Sequence, residues 1–168
     1  MKSLLTNRLT IRKLTVEDAS FIFTLLNDPS WIEYIGDRNI RTVEDAASYI
    51  LNGPAAMYDQ FGVGLCLVSL KESGIPVGLC GLIKRDYLDD FDLGFAFTQE
   101  HQGKGYGFEA AKAVLDYGLD ELHLSKIVAF TTMDNHGSSA LLKKLGMTES
   151  GTITIPGDDE KLKLFITA

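Results

Sequence analysis

Three glycines at alternate positions within residues 102–107 separate a strand-like run from a helix-like run. The strand-like run covers residues 91–98, and the helix-like run begins at Phe108 and continues to about Leu122. A glycine-rich turn that opens a helix directs several backbone N–H groups to one point, where the helix dipole adds positive potential. This strand–turn–helix unit therefore predicts a phosphate or pyrophosphate site, although glycine also occurs in turns that only connect elements.

Two familiar phosphate-binding loops do not match this segment. A Walker loop needs Ser or Thr after Gly-Lys, whereas Gly105 follows Lys104 here. The dinucleotide-binding fingerprint has G-x-G-x-x-G spacing after the first strand of a βαβ unit. In this chain the spacing is G-x-G-x-G, and several strand-like runs precede it.

The composition indicates one globular domain over residues 1–168, with 45% hydrophobic residues. A net charge of −7 argues against nucleic-acid binding, which needs a basic face. No apolar run reaches the roughly 18 residues of a membrane span, and the first residues lack the apolar core of a signal peptide, so we expect a cytoplasmic protein.

Cys66 and Cys80 lie in apolar runs and predict buried thiols in a reducing compartment. These cysteines and the three histidines have no metal-ligand spacing, so no metal is expected.

Hydrophobic periodicity and turn residues predict the element order β-α-α-β-β-β-α-β-α-β-β. Capping signals start the first two helices at Thr15 and Thr42, and turn residues end them at 28–30 and at 52–54. The predicted strands cover residues 9–14, 61–70, 76–85, 91–98, 126–132, 147–155 and 161–167, and the last helix covers 138–145. This order indicates a mixed α/β fold, α+β-like, in which one twisted sheet has helices on both faces.

The strand-like run before the glycines has two different faces. Its odd-numbered residues from 91 to 97 are large and apolar, whereas the even-numbered ones are Asp92, Gly94 and Ala96. The face with small residues leaves room either for a ligand or for close packing.

The order of these elements and the residues at the turns resemble the GNAT superfamily of acyl-CoA-dependent N-acetyltransferases over nearly the whole chain. Gln102, Gly105 and Gly107 match that family's Q/R-x-x-G-x-G/A phosphate loop. Residues 135–147 resemble its second signature, in which an Asn precedes a helix that ends in Leu-Gly, with methionine in place of the usual aromatic residue. The branch that includes the ribosomal-protein N-terminal-alanine acetyltransferases is similar at residues 6–12, 28–29 and 107–110.

The resemblance implies acetyl-CoA as the cosubstrate. Its pyrophosphate would lie on the backbone amides of Gly103, Lys104, Gly105, Tyr106 and Gly107, with Gln102 as a side-chain donor. The pantetheine arm would run along the strand that ends at Phe97-Thr98, where the N–H of Phe97 would face the thioester oxygen. Asn135 would hold the pantetheine, and it is also typical of an ordinary helix cap.

The resemblance also implies that a neutral amine attacks the thioester directly. A lysine side chain with a pKa of about 10.4 is much harder to deprotonate at neutral pH than a protein α-amine at about 7.7–8.0. Asp92 and Glu109 are the candidate bases, followed by Glu100, with His101 as a proton relay or a solvent-exposed residue. Asp92 could equally be a solvated strand position, Glu109 a group favoured by the helix N-terminus, and Glu100 a surface charge.

Many family members have a tyrosine seven residues after the Asn as the general acid, and Leu142 occupies that position here. Ser138 is the substitute that the ribosomal-protein branch suggests, and its alternative role is that of a polar residue in the first turn of a helix. A missing tyrosine also keeps open a non-catalytic acyl-CoA-binding module.

The acceptor site has the weakest pattern. Trp31, Glu33 and Tyr34 lie between the first two helices and predict either contacts with an amine or a loop packed on the core. The acidic run at Asp86, Asp89 and Asp90 predicts either attraction of a cationic substrate or a solvated hairpin. The favoured partner is a protein N-terminus, ahead of a small amine such as a polyamine, an amino acid or an aminoglycoside. We expect a monomer or a homodimer.

Overall fold

The computed structural model describes residues 2–168 and contains one eight-stranded sheet in that range. The strands are β1 (Leu4–Leu5), β2 (Leu9–Lys13), β3 (Leu65–Leu70), β4 (Pro76–Ile83), β5 (Phe91–Phe97), β6 (Ile127–Thr132), β7 (Thr148–Thr154) and β8 (Lys161–Ile166). The α-helices are α1 (Ala19–Leu26), α2 (Pro29–Tyr34), α3 (Val43–Ile50), α4 (Ala56–Phe61), α5 (Tyr106–Asp116) and α6 (His136–Lys144). Short 3-10 turns cover Val16–Asp18 and Gln99–His101, and π-helical turns cover Leu51–Ala55 and Tyr117–Glu121.

The strand order β1-β2-β3-β4-β5-β6-β8-β7 confirms the mixed α/β sheet. Every neighbouring pair of described strands is antiparallel except β5 and β6. A parallel pair needs a crossover connection, and the glycine turn with α5 supplies it. The glycine turn therefore lies at the C-terminal end of a central strand.

Apolar side chains pack on both faces of the sheet, as predicted. One core includes Val114 and Leu115 of α5, and the other includes Ile22 of α1 and Ile50 of α3. Successive side chains of β5 point to opposite faces of the sheet. Its odd-numbered residues therefore belong to the first core, and Ala96 packs against the second. None of the helices in residues 2–168 is long and apolar enough to cross a bilayer.

The second predicted helix does not end at residues 52–54. A π-helical turn at Leu51–Ala55 carries it into α4. Pro54 fits inside this turn, because a widened turn has a position where the missing N–H of proline is not needed. The next strand therefore begins at Leu65, and its predicted start at Phe61 is wrong because that residue ends α4.

The segment predicted to join the first two helices is itself the short helix α2. Asp28 caps it, with Oδ1 accepting a hydrogen bond from the Ser30 amide at 3.0 Å, and Pro29 takes the first helical position. Oδ2 of Asp28 accepts from the Gln99 amide at 3.0 Å. These bonds tie α2 to the turn after β5, and Trp31 of α2 is buried at 5% exposure.

The two cysteines lie opposite each other on β3 and β4 and are fully buried, as predicted. Burial raises the pKa of the Cys66 thiol to about 11, so it stays protonated at neutral pH. Both residues therefore behave as small apolar side chains rather than as nucleophiles.

Candidate active site

The sheet opens between β5 and β6. In the described chain these strands pair only at Phe91 with Ile127 and at Asp92 with Val128, and beyond these pairs they separate. A cleft of about 840 Å³ lies at this opening. Its walls include the second halves of both strands, the glycine loop, the first turns of α5 and α6, and α2. A cleft of this volume accommodates a ligand of cofactor size.

Backbone N–H groups along β5 point alternately toward β4 and toward the cleft. The Thr98 amide donates to the Val77 carbonyl at 3.1 Å, on the β4 side. Because backbone direction alternates along an antiparallel strand, the N–H groups of Phe95 and Phe97 face the opening. Phe97 lines the cleft, whereas Thr98 does not. The prediction for Thr98 is corrected, because its hydroxyl also lies against the Val77 carbonyl and against Nδ1 of His101.

The backbone of residues 103–107 has the features that the glycine spacing predicts. Gly103 and Gly105 have φ values of 77° and 83°, a conformation that favours glycine. The helix α5 begins without a side-chain cap, and no amide of residues 103–107 donates a hydrogen bond to another described residue. Unpartnered N–H groups at a helix N-terminus form an anion site. The residues present therefore fit a phosphate group.

Lys104 and Glu109 are not among the residues that line the cleft. Glu109 accepts hydrogen bonds from the Arg8 amide at 2.8 Å, from Nε of Arg8 at 2.7 Å and from the Thr6 hydroxyl at 2.5 Å. Arg8 also donates to the Lys104 carbonyl at 2.9 Å and lies over the Tyr106 ring, 4.6 Å from its centre. Partial burial raises the pKa of Glu109, but the bonds from Thr6 and Arg8 outweigh it and lower the pKa overall. This network gives Glu109 a structural role in holding the glycine loop.

Gln102 lies in the cleft, but its amide protons are directed to the protein. Its Nε2 donates to the Phe97 carbonyl at 2.9 Å and lies 3.2 Å from Oγ of Ser30. A side-chain amide has two protons, so both are used by these contacts. The predicted role of Gln102 as a phosphate donor is therefore corrected to one that connects the end of β5 with α2.

The second signature folds at the start of α6. Oδ1 of Asn135 accepts from the Ser138 amide at 3.1 Å, so the helix-cap interpretation is confirmed. Nδ2 of Asn135 and the Ser138 hydroxyl have no partner within residues 2–168, and both residues line the cleft. The hydroxyl of Thr132, on β6, is buried in the same lining and is also without a partner in that range. Nδ2 of Asn135 and the Ser138 hydroxyl are thus available to a ligand on this wall, whereas the Thr132 hydroxyl is enclosed.

Asp92 is the candidate base that the structure places in the cleft. It is 2% exposed, and its Oδ1 lies 3.1 Å from Nε of Arg85. Burial raises the pKa of Asp92 to about 6, and the charge of Arg85 offsets this only in part. The alternative of a solvated strand position is wrong, since the carboxyl is buried. A carboxyl that titrates close to neutral pH can accept a proton during a reaction.

The wall formed by α2 contains two of the three predicted acceptor residues. Trp31 and Tyr34 line the cleft, whereas Glu33 is exposed outside it. The indole N–H of Trp31 is buried and has no hydrogen-bond partner in the described range. His101 also lines the cleft and its side chain is only 16% exposed, which corrects the expectation of a solvated ring. Glu100 is exposed and outside the lining.

Comparison with known proteins agrees with this geometry. Residues 8–148 match the model of the Acetyltransferase (GNAT) domain family. The chain belongs to the GNAT acetyltransferases. Within this GNAT domain, the matched residues include the glycine loop and the start of α6, so the family resemblance and the acetyltransferase activity that it implied are confirmed.

Relatives of this GNAT domain are named as acetyltransferases. YnaD of Bacillus subtilis (strain 168), an uncharacterized N-acetyltransferase, is 29% identical over 146 residues, which cover 87% of this chain and 82% of YnaD. The structure of a GNAT-family acetyltransferase from Bacillus anthracis has a TM-score of 0.80 at 27% identity, covering 98% of this chain and 96% of that one. RimL, a ribosomal L7/L12 α-N-protein acetyltransferase solved with coenzyme A, shares the fold at a TM-score of 0.83 and 12% identity, covering 98% and 97%.

Arg38, Tyr49 and Arg85 are among the polar cleft residues of this GNAT domain that were not predicted from the sequence. Arg85 follows β4 and Asp92 belongs to β5. Antiparallel pairing of these two predicted strands places the two residues close together, so the sequence did contain an indication of this contact. Arg38 lies in a loop and Tyr49 within α3, and no sequence pattern distinguishes these positions. The acidic loop at residues 86–90 is outside the cleft lining.

Proposed function

We propose that this acetyltransferase transfers the acetyl group of acetyl-CoA to a primary amine, by direct attack in a ternary complex. The observation that carries the proposal is one cleft lined both by Gly103, Gly105, Tyr106 and Gly107, whose amides have no partner in the described chain, and by the buried carboxyl of Asp92. The amides suit a diphosphate, and the carboxyl suits an amine. The solved complex of RimL with coenzyme A supports this choice of cosubstrate.

The main chain provides most of the cosubstrate site in this proposal. The amides of residues 103–107 hold the pyrophosphate, and Nδ2 of Asn135 and the open edge of β5 hold the pantetheine arm. Acetyl-CoA supplies an activated acyl thioester. The N–H of Phe97 faces the cleft and donates to the thioester oxygen, where negative charge develops during attack.

Asp92 is the base in this proposal. With a pKa of about 6 it is ionised at neutral pH and still basic enough to receive the amine proton. Arg85 keeps the carboxylate in one orientation through the 3.1 Å ion pair. Glu109 is less suited, because its oxygens accept three hydrogen bonds from Thr6 and Arg8.

Ser138 returns a proton to the leaving thiolate, directly or through a water molecule. A thiol with a pKa of about 8.5 needs little driving force for this step. Leu142, at the position of the usual tyrosine, is fully buried and supplies no proton. The Ser138 hydroxyl is the polar group of the α6 first turn that lines the cleft without a partner in the described chain.

An α-amine is the acceptor that this site suits best. At neutral pH its deprotonation costs about 1 to 1.4 kcal/mol, compared with roughly 4.6 kcal/mol for a lysine side chain. A single carboxyl with a moderately raised pKa is sufficient for the smaller cost. The acceptor is then the N-terminus of a protein or a small molecule whose amine is comparably easy to deprotonate, and RimL is an example of the first kind.

Calorimetry with coenzyme A and thiol release with a panel of amines test the proposal. We expect saturable binding of coenzyme A and thiol release that depends on an α-amine acceptor. Binding without thiol release from any amine would instead indicate a non-catalytic module. The absence of coenzyme A binding by folded protein would overturn the assignment of the glycine loop.

A further inference from the structure

The acceptor half of the cleft contains more hydrogen-bond donors than an amine can use. Its lining includes the Trp31 indole, the Arg38 guanidinium and the Tyr49 hydroxyl. None of these three groups has a hydrogen-bond or ion-pair partner within residues 2–168. An amine that approaches Asp92 is itself a donor and cannot satisfy them. A second group on the acceptor, one that accepts hydrogen bonds, would do so.

The Trp31 indole makes the need for such a group most evident. The residue is 5% exposed, and its N–H reaches neither water nor an acceptor in the described part of the chain. Buried donors in native proteins are nearly always paired, because burying an unpaired N–H is unfavourable. Trp31 lines the cleft, so an acceptor atom of a ligand that reached this N–H would satisfy it.

Arg38 supplies the charge on the same wall. Its neighbour in the loop, Arg41, is paired with Asp37 at 2.6 Å, whereas Arg38 has no ion pair within the described residues. Burial raises the pKa of the Tyr49 phenol, and the charges of Arg38 and Arg85, which line the same cleft, partly oppose this. The charge of Arg85 is compensated by Asp92. Arg38, which is exposed, therefore contributes a positive charge to this part of the cleft.

Apolar side chains surround these donors. Trp31 and Tyr49 pack in one cluster with Leu25 and Leu79, and all four line the cleft. The acidic lining residues Asp158 and Glu160 belong to the loop between β7 and β8, not to the elements that carry the donors. The wall near α2 and α3 thus combines apolar contact with a positive charge.

We infer that the acceptor of this enzyme has an apolar body and carries a carboxylate close to its amine. The amine faces Asp92, and the carboxylate accepts from Arg38, Trp31 and Tyr49. The inference rests on the proposed function, because it assigns the second group of the same acceptor. A free apolar α-amino acid has this chemistry, and a peptide with an apolar N-terminal residue followed by an acidic one presents the same groups.

Trp31 is the only tryptophan of the chain, so its fluorescence reports on the site directly. The probes are N-acetyl-leucine and N-acetyl-leucinamide, which have no amine and differ in the carboxylate. We expect a saturable fluorescence change with the acid and at least roughly tenfold weaker binding of the amide. The titration is made with and without coenzyme A, so its result does not depend on the cosubstrate assignment.

Arg38→Gln is the decisive variant, and Lys112→Gln is its matched control. Lys112 lies on α5 in an exposed pair with Asp116, outside the cleft lining, and its substitution removes the same charge. We expect Arg38→Gln to abolish the preference for the acid and Lys112→Gln to retain it. Equal binding of both probes, binding of neither, or an unchanged preference in Arg38→Gln would overturn the inference.

Turnover then distinguishes the sources of the carboxylate. Two pairs of acceptors are compared by thiol release. Leucine and leucinamide differ in the main-chain carboxylate, and the dipeptide amides Leu-Asp-NH2 and Leu-Asn-NH2 differ in the side-chain carboxylate. The amine of leucinamide is the easier one to deprotonate, so a preference for leucine cannot come from amine basicity. A preference for leucine indicates a free amino acid, and one confined to Leu-Asp indicates a peptide. Faster thiol release with leucinamide and with the Leu-Asn peptide would contradict this inference but not the proposed function. A lack of coenzyme A binding would contradict the proposed function.

Discussion

The two halves of the cleft are built from different chemical groups. The half proposed for acetyl-CoA consists mainly of backbone amides, at residues 103–107 and on β5. The acceptor half consists of side chains from separate elements, with Trp31 on α2, Tyr49 on α3 and Asp92 on β5. Backbone amides are present at nearly every residue, so only the glycine conformations restrict the sequence. The side chains of the acceptor half, in contrast, can be replaced one at a time.

Two contacts connect the halves. Asp28 of the α2 cap accepts from the Gln99 amide at 3.0 Å, and Nε2 of Gln102 lies 3.2 Å from Oγ of Ser30. Both contacts join α2 to the connection between β5 and α5. The acceptor wall and the start of the glycine loop are therefore joined by direct hydrogen bonds.

The largest effect is expected in the acceptor half, from Asp92→Asn. Loss of the base should lower kcat/KM by about a hundredfold, with coenzyme A affinity unchanged, because the carboxyl makes no contact with the glycine loop. Thiol-release kinetics and calorimetry measure the two quantities. Asp89→Asn, in the exposed loop outside the cleft, is the control and should behave like the native enzyme. A near-native kcat/KM for Asp92→Asn would show that water or another group takes the proton.

The pH dependence follows from the same carboxyl. Its pKa is raised to about 6, so it is protonated and inactive as a base below that pH. Activity should therefore rise with pH through about 6, and the ratio of native to Asp92→Asn activity should fall about tenfold for each pH unit below it. Parallel pH profiles of kcat/KM for the two enzymes measure this ratio. A ratio that does not change with pH would assign the titration to the acceptor amine alone.

Ser138→Ala should affect turnover on the cosubstrate side without affecting binding. We expect kcat to fall about tenfold or more, since the leaving thiolate loses its proton source, with little change in coenzyme A affinity. Ser139→Ala is the neighbouring control, because that hydroxyl lies 3.4 Å from the Thr131 hydroxyl and is not part of the cleft lining. The control should alter stability rather than kcat. Unchanged turnover in Ser138→Ala would remove this residue from the mechanism.

Gly105→Ala tests whether backbone conformation forms the diphosphate site. Residue 105 has a φ of 83°, and an added Cβ would lie 3.1 Å from Nη2 of Arg8. We expect coenzyme A to bind roughly tenfold more weakly, with kcat less affected. Gly151→Ala is a matched control, because its φ is 85° and nothing lies within 4 Å of its Cβ position, on β7. Equal loss of coenzyme A affinity in both variants would argue for general destabilisation.

The smallest effect is expected from Glu109→Gln. The substitution weakens the bonds from Arg8 and Thr6 that hold the glycine loop, so coenzyme A affinity should fall about threefold to fivefold while kcat is retained. Isothermal titration and steady-state kinetics separate these effects, with the exposed Glu100→Gln as the control. A loss of kcat with unchanged affinity would restore Glu109 as a candidate base.

The errors of sequence interpretation have a common origin. Thr98 and Gln102 were assigned to the cosubstrate by their place in the motif. In the structure the Thr98 amide donates to the Val77 carbonyl of β4, and the side-chain amide of Gln102 donates to the Phe97 carbonyl. Such details depend on what lies opposite each group in space. The prediction that the helix ends at residues 52–54 was wrong for a similar reason. Pro54 is accommodated inside a widened, π-helical turn, so it does not end the helix.

The sequence by itself determined the glycine turn between β5 and α5 and the cap at Asn135, because each depends on residues that are close together in the chain. The order of elements and motifs along the whole chain determined the mixed sheet and the family. Only the tertiary structure decided which carboxyl is buried in the cleft and which one anchors a loop. It also brought Arg38, Tyr49 and Trp31 into one wall. These outcomes depend on burial and on contacts between distant segments, and the local pattern of a chain does not specify either.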